Sequence, residues 1–179
     1  DNKKKVIKTF HPLYYLSDKS YTKENARKEL DIASSKVILF FGLIRPYKGL
    51  DTLIKAVKHL SNSLSDFKVF VVGENYESMS KYYNLINKFN LEEKFIFNLE
   101  FVSEDIAAKY FIASDIVILP YKHGSQSGIV SLAYNLNRPV IVTNIDALSE
   151  YVINGKTGFI VENEKELSNK IGHFFKENL

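Results

Sequence analysis

The sequence predicts an α/β domain built on an open parallel sheet that carries helices on both faces. Six short runs rich in Val, Ile and Phe alternate along the chain with segments of helical periodicity. These runs are almost continuously apolar, which is typical of strands that are buried on both faces. The chain has 179 residues and contains no internal repeat or low-complexity linker, so we expect one α/β domain.

Residues that favour turns (Gly, Pro, Asn and Asp) bound the predicted strands. Alternation of strands and helices is typical of parallel strands joined by helical crossovers, as in a Rossmann-like fold. The six strands are predicted at Val37–Phe41, Lys68–Val72, Phe95–Asn98, Ile116–Leu119, Pro139–Val142 and Gly158–Val161.

Helical periodicity marks the segments between the strands. In the second of these, Leu53, Val57 and Leu60 recur on one face and form an apolar stripe. The fourth begins with Ser103 at a capping position, followed by two acidic residues in its first turn. The six helices are predicted at Tyr21–Leu30, Gly49–Leu60, Glu77–Phe89, Ser103–Ala113, Ile129–Leu136 and Lys165–Lys176.

Composition excludes several classes of function. The net charge of +3 suits an anionic small ligand or an anionic membrane surface, but it is too weak to indicate nucleic acid. The absence of Cys excludes a disulfide framework and a thiolate metal site. The apolar runs are far shorter than the roughly 20 residues that a membrane-spanning helix needs. We expect a cytoplasmic protein, and peripheral association of the full-length protein with the inner face of the membrane stays open.

The beginning of the chain indicates two parts. Asp1 is not an initiator methionine, and the first twenty residues have the character of a continuing polypeptide. We therefore expect residues 1–20 to be a connection from an upstream domain, and residues 21–179 to be the α/β domain itself.

In a sheet of this kind, ligands bind at the carboxyl ends of the strands, near the point where the strand order reverses. The loop after the first strand holds Gly42, Arg45, Lys48 and Gly49, and the second helix follows at once. A helix start attracts anions, and an Arg fork with a Lys point charge would suit a diphosphate. The alternative is that both cations are solvated and Gly49 is a turn residue.

The loop after the fourth strand is small and polar, with Ser125, Gln126, Ser127 and Gly128 leading into a helix from Ile129. Its amides and hydroxyls would converge on the same edge of the sheet as the first loop. Two helix starts that attract anions would then hold one ligand between them. The alternative is a polar connection with favourable helix caps.

Six ordered blocks from about His11 to the end of the chain resemble a known family. They include FFGLIRPYKGLDTLIKA, VVGE, SQSGIVSLAY and NGKTGFIVEN. The set is similar to the carboxyl-terminal nucleotide-sugar-binding domain of GT-B glycosyltransferases, and most similar to the retaining group called glycosyltransferase family 4. The resemblance implies the carboxyl-terminal half of a GT-B fold. It also implies that the donor is a nucleotide-diphosphate sugar and that the acceptor binds the missing amino-terminal domain.

The resemblance also implies roles for individual residues. Arg45 and Lys48 match the family's basic pair, which clamps the diphosphate and is the candidate catalytic pair. Further matches are implied for the donor site: Gly73 and Glu74 in a turn that lines the cleft, Phe101 and Val102 beside the base, and Ser127, Gly128 and Ile129 where amides meet phosphate.

We expect no metal and no other cofactor. Two cations and two helix starts would supply the positive field for the leaving diphosphate, and no DxD-like acidic pair follows a strand. One departure from the family concerns two glutamates, the first near the transferred sugar and the second at the ribose. Counting back from Pro139 puts their positions at Gly124 and Leu132, neither of which is acidic. Gln126 or Ser125 could replace part of the lost hydrogen bonding.

Three functions stay open on the sequence alone. The first is the donor-binding half of a retaining glycosyltransferase in surface polysaccharide or glycoconjugate biosynthesis, with no turnover expected from this chain by itself. The second is a GT-B module that binds a nucleotide or a partner protein without catalysis, which the lost glutamates favour. The third is another nucleotide-using enzyme such as a dehydrogenase, which the missing glycine fingerprint disfavours.

Overall fold

The six predicted strands form one parallel sheet in the order β3-β2-β1-β4-β5-β6. This is the strand order of the Rossmann fold, and it reverses between β1 and β4. The computed structural model describes residues 21–33, 36–124 and 127–177. The strands are β1 Val37–Phe41, β2 Lys68–Val72, β3 Phe95–Asn98, β4 Ile116–Leu119, β5 Val140–Thr143 and β6 Gly158–Val161.

Helices cover both faces of the sheet, as the apolar character of the strands predicts. One face packs against α2, α3 and α7, and the other packs against α1, α4 and α5. The helices are α1 Lys23–Glu29, α2 Leu50–Leu60, α3 Ser80–Lys88, α4 Glu104–Ala113, α5 Gly128–Asn135, α6 Asp146–Ser149 and α7 Glu164–Glu177.

Alternate side chains of each central strand enter different hydrophobic layers. In β1, Ile38 and Phe40 pack on the α2 side, whereas Val37 and Leu39 pack on the α4 side, and all four are at most 1% exposed. Both layers are therefore dry, which explains why the strands show continuous apolar runs rather than an alternating pattern.

The predicted helix and strand bounds differ from the observed ones mainly at the ends. The strand predicted at Pro139–Val142 is shifted by one residue, because Pro139 has no N–H to donate and only its carbonyl joins the sheet. The third helix begins at Ser80 rather than Glu77, because the Ser78 hydroxyl accepts a hydrogen bond from the Ser80 N–H and turns the chain there.

Three short helical segments escaped prediction. Two are 3-10 turns at Pro46–Lys48 and Glu92–Lys94, and the third is α6. Each is too short to show a helical period in the sequence. In the described ranges, no helix has both the length and the apolar character to cross a membrane. The predicted connection at residues 1–20 lies outside these ranges.

Candidate functional site

A cleft of about 540 Å³ opens at the carboxyl ends of the strands, where the strand order reverses between β1 and β4. This is the place where open α/β sheets bind ligands. Loops after β1, β2, β3 and β4 supply its walls. Nine of the residues predicted from the sequence line it: Gly42, Lys48, Gly73, Glu74, Phe101, Val102, Ser127, Gly128 and Ile129.

Two predicted residues do not line this cleft. Arg45 is exposed, and its guanidinium carbon lies 4.8 Å from the centre of the Tyr76 ring. Gly49 is buried beneath the carbonyl of Pro120, where it lets the second loop approach the start of α2. The absence of a side chain at Gly49 therefore serves a close approach of protein backbone. The predicted donor residues Ser125 and Gln126 lie outside the described ranges.

Among the described residues that line the cleft, Lys48 is the one cation, although it is only 9% exposed. Its ammonium group donates a hydrogen bond of 2.5 Å to the Tyr121 hydroxyl and lies 4.2 Å from the centre of that ring. Burial, together with the nearby charge of Arg45, lowers the pKa of Lys48 from 10.5 to about 8. Below that pH the cleft holds a poorly hydrated positive charge, which favours an anion as its partner.

Tyr121 connects Lys48 to the start of α5. The Tyr121 hydroxyl lies 3.1 Å from Ser127 Oγ, and Ser127 Oγ accepts a hydrogen bond from the Ile129 N–H. Burial raises the pKa of Tyr121, so its hydroxyl stays neutral. Tyr121 could not be predicted as a site residue, because its place after Pro120 gives no sign that its side chain would meet a lysine more than seventy residues away.

One wall of the cleft is formed by backbone hydrogen bonds that continue past the strand ends. The Gly42 N–H donates to Val72 O at 2.9 Å, and the Gly73 N–H donates to Asn98 O at 2.9 Å. Gly73 has a φ of +134°, and a Cβ there would lie 2.4 Å from Gly42 O. A side chain at Gly73 would therefore force the loops after β1 and β2 apart.

The rest of the cleft is largely apolar. Phe101 stands at its rim with 82% of its surface exposed, and Leu43 is 41% exposed. Leu132, at one of the positions where the family's glutamate would fall, lines the cleft one turn along α5. The carboxylates on the walls are Glu74, which accepts a hydrogen bond from Tyr76, and Glu104 in the first turn of α4.

A second concavity of about 570 Å³ lies between the end of α2 and α7. None of the residues predicted from the sequence lines it. Across the described ranges, no three His, Asp or Glu side chains form a group that could hold a metal ion. The cleft between β1 and β4, where the strand order reverses, is therefore the candidate functional site.

The chemistry of this cleft suits an anion. The buried ammonium of Lys48 and the first residues of α5 line the same space, and a helix start carries a positive partial charge. Glycine backbone and apolar side chains form the remaining walls, which can accept a flat or apolar group beside that anion.

This chain is similar to known proteins in sequence and in fold. Residues 22–178 match the family described as glycosyl transferases group 1. The GDP-mannose:glycolipid 4-beta-D-mannosyltransferase of Xanthomonas campestris pv. campestris is 31% identical over 105 residues, which are 58% of this chain and 29% of that protein. This chain therefore spans less than a third of that relative's length.

Two solved structures show the same fold. The C-terminal domain of a glycosyl transferase group 1 family protein (LpcC) from Francisella tularensis superposes with a TM-score of 0.76 at 21% identity, covering 88% of this chain and 84% of that one. Anabaena Alr3699/HepE in complex with UDP-glucose gives 0.77 at 21% identity, covering 87% of this chain and 43% of that protein. From the family match over almost the whole described domain, we conclude that this chain belongs to the glycosyl transferases group 1 family.

Proposed function

We propose that this chain is the donor-binding domain of a retaining, family 4 glycosyltransferase whose donor is a nucleotide-diphosphate sugar. The proposal rests on one observation: the Lys48 ammonium and the start of α5 line the same cleft, at the point where the strand order reverses between β1 and β4. Both elements favour negative charge, and a diphosphate is the anion that such a donor presents.

Lys48 would stabilise the charge that develops on the leaving diphosphate as the glycosidic bond breaks. A preformed positive charge in a poorly hydrated cleft stabilises that state more than the ground state. Arg45 is exposed beside the cleft, and in this proposal it swings from Tyr76 to complete the clamp when the donor binds. With these groups supplying the positive field, the transfer would need no metal ion.

The names of similar proteins support a sugar nucleotide without fixing its base. The Xanthomonas relative is named for GDP-mannose and a glycolipid, and the Anabaena structure contains UDP-glucose. We propose that the acceptor binds an amino-terminal domain, that the whole protein acts in surface polysaccharide or glycoconjugate biosynthesis, and that it works in the cytoplasm or at the inner face of the membrane. We also propose that this domain alone gives no turnover.

Retention of the anomeric configuration is a separate part of the proposal. The Xanthomonas relative is named for a beta product, so relatives do not decide the stereochemistry of this chain. The measurement is the anomeric coupling constant of the first-formed product, read by NMR with the full-length protein and its donor. A product with the opposite configuration to the donor would contradict retention.

A second candidate is a GT-B module that binds a nucleotide or a partner without catalysis. The observation that favours it is Leu132 on the cleft wall, because an apolar side chain there cannot hold sugar hydroxyls. Turnover separates the two candidates. A full-length protein that binds the donor but releases no nucleoside diphosphate in the presence of acceptors would favour the binding module.

The test of the donor site is calorimetric titration of the purified protein with UDP, GDP, ADP and UMP, with and without magnesium. We expect one diphosphate to bind tightest and magnesium to leave its affinity unchanged. The variant with Arg45→Ala and Lys48→Ala should lose at least about tenfold in diphosphate affinity and little in nucleoside affinity, because two charge-assisted contacts are removed.

The matched control for that variant is Lys58→Ala with Lys88→Ala. It removes the same charge from two exposed side chains that do not line the cleft. Equal weakening by the two double variants, or equal loss of diphosphate and nucleoside affinity, would contradict the clamp. If the unaltered protein bound none of the diphosphates, the proposed function would be wrong.

A further inference from the structure

We infer that Tyr121 is a positioning residue of the cleft, whose hydroxyl holds the Lys48 ammonium and the start of α5 in a single arrangement around the ligand's phosphates. The inference rests on the proposed donor site, because that site needs both elements on the same anion. Tyr121 itself does not line the cleft, so it would act through Lys48 and Ser127 rather than by touching the donor.

The Tyr121 side chain is held from several directions. It is only 4% exposed, and its ring meets the Tyr47 ring edge to face at 6.0 Å between centres. Its backbone carbonyl accepts a hydrogen bond of 2.5 Å from the Thr143 hydroxyl. A ring packed in this way presents its hydroxyl at one place, so that hydroxyl can fix whatever it bonds.

The hydroxyl is placed between the two elements. Its oxygen accepts from the Lys48 ammonium at 2.5 Å and lies 3.1 Å from Ser127 Oγ, where either hydroxyl can supply the proton. Ser127 Oγ in turn accepts the Ile129 N–H of the first turn of α5. One chain of hydrogen bonds therefore runs from a cation on the first loop to the helix start after the second loop.

The two side chains that Tyr121 joins are both buried. Lys48 is 9% exposed and Ser127 is 7% exposed, so water cannot freely replace a partner that is removed. The ammonium also lies 5.5 Å from the centre of the Tyr47 ring, close to the Gly42 backbone and within range of the charge of Arg45. Within the described ranges its hydrogen-bond acceptor is the Tyr121 hydroxyl, which is therefore the group that can fix where Lys48 points.

The test compares Tyr121→Phe with Tyr134→Phe. The first keeps the ring and removes the hydroxyl that joins Lys48 to Ser127. The second removes a half-buried hydroxyl from α5 that bonds Thr157 Oγ1 at 2.9 Å and the Tyr151 carbonyl at 3.2 Å, and it does not line the cleft. Thermal unfolding of both variants shows whether they fold, and the comparison is made between folded proteins.

Two readouts are independent of each other. The first is calorimetric affinity for the diphosphate and the monophosphate of the base that binds. We expect Tyr121→Phe to weaken diphosphate binding roughly tenfold and monophosphate binding much less, as the loss of one charge-assisted contact would do. The second is the pKa of Lys48, followed by NMR of a ¹³C label at its ε carbon without any nucleotide. Removing the hydroxyl acceptor should lower that pKa further.

Each outcome decides the inference. A tenfold selective loss with a lower Lys48 pKa in Tyr121→Phe, and neither change in Tyr134→Phe, supports it. Unchanged diphosphate affinity and an unchanged Lys48 pKa would overturn it while leaving the donor site in place. If the unaltered protein binds no diphosphate, the proposed function fails, and the Lys48 pKa alone then decides whether Tyr121 positions that lysine.

Discussion

Gly49 and Pro120 touch so closely that a Cβ on Gly49 would lie 1.8 Å from the Pro120 carbonyl oxygen. This contact joins the loop after β1 to the loop after β4, which are the two loops on either side of the strand switch. The Lys122 N–H reinforces it by donating to the Tyr47 carbonyl at 2.8 Å. The position of Lys48, between Tyr47 and Gly49, therefore depends on a backbone contact that only glycine allows.

Gly49→Ala should destabilise the protein strongly. The new Cβ meets backbone that cannot move aside, and the φ of +74° is unfavourable for alanine, so we expect a loss of about 3 kcal/mol or more in the free energy of unfolding. Gly155→Ala is the matched control, because its φ is +79° and nothing lies within 4 Å of the new Cβ. It should lose about 1 kcal/mol. Urea unfolding measures both variants, and equal losses of unfolding free energy would contradict the close contact between Gly49 and Pro120.

Stability should rise with pH because of Lys48. Burial and Arg45 lower its pKa from 10.5 to about 8, so the unfolded chain binds more protons between those pH values. The free energy of unfolding contributed by this group therefore increases from about pH 8 to about pH 10.5. Urea unfolding at intervals across this window measures the slope.

Lys48→Met is the control for that slope, because it keeps an unbranched buried chain and removes the titrating amine. The difference in unfolding free energy between the two proteins should change with pH only in that window. A difference that stays constant from pH 7 to pH 11 would show that Lys48 titrates normally in the folded protein.

Leu132→Glu should restore ribose recognition if the donor occupies the cleft as proposed. The leucine lines the cleft one turn after the start of α5, so a carboxylate there could accept hydrogen bonds from ribose hydroxyls. We expect the preference for the ribonucleoside diphosphate over its 2′-deoxy counterpart to grow roughly tenfold. Leu132→Met is the control, and calorimetry of both nucleotides is the measurement. An unchanged preference would place the ribose elsewhere.

Asp115 should matter for stability and not for binding. It lies at the amino end of β4, on the opposite edge of the sheet from the cleft, and its side chain is 14% exposed. The carboxylate accepts from Arg27 at 2.9 Å and from the Val37 N–H at 2.6 Å, and it also pairs with Lys23. Asp115→Ala removes this carboxylate from both cations and from the Val37 N–H. We expect the free energy of unfolding to fall by about 3 kcal/mol.

Asp51→Ala is the matched control for Asp115→Ala. Asp51 pairs with Lys122 at 2.7 Å, but the lysine side chain is 47% exposed, so the change should cost under about 1 kcal/mol. Urea unfolding compares the two variants, and nucleotide affinity should be unchanged in Asp115→Ala. Similar losses of stability would mean that burial does not strengthen the interactions of Asp115 with its partners.

The sheet could be predicted almost completely from the sequence, because strands buried on both faces leave continuous apolar runs with turn residues at their ends. The order of loops along the chain then placed most candidate residues at one edge, and nine of them line one cleft. Local rules were sufficient for this, since the carboxyl ends of parallel strands must lie on the same side.

Side-chain direction could not be predicted in the same way. Arg45 and Lys48 are three residues apart, yet one points over Tyr76 and the other into the cleft. Lys48 ends the 3-10 turn Pro46–Lys48 that begins just after Arg45, and a turn of this length leaves no periodic signal in the sequence. The bond between Lys48 and Tyr121 depends on the packing of two distant loops, which no spacing in the sequence reveals.

The strand order has a consequence for folding. β1 and β4 are neighbours in the sheet, but β2 and β3 lie between them along the chain. Such long-range pairing closes a large loop and is slow compared with local contacts. The walls of the cleft therefore come together only when both halves of the domain are in place. A ligand that spans them binds only the assembled chain, and by mass action it stabilises both halves together.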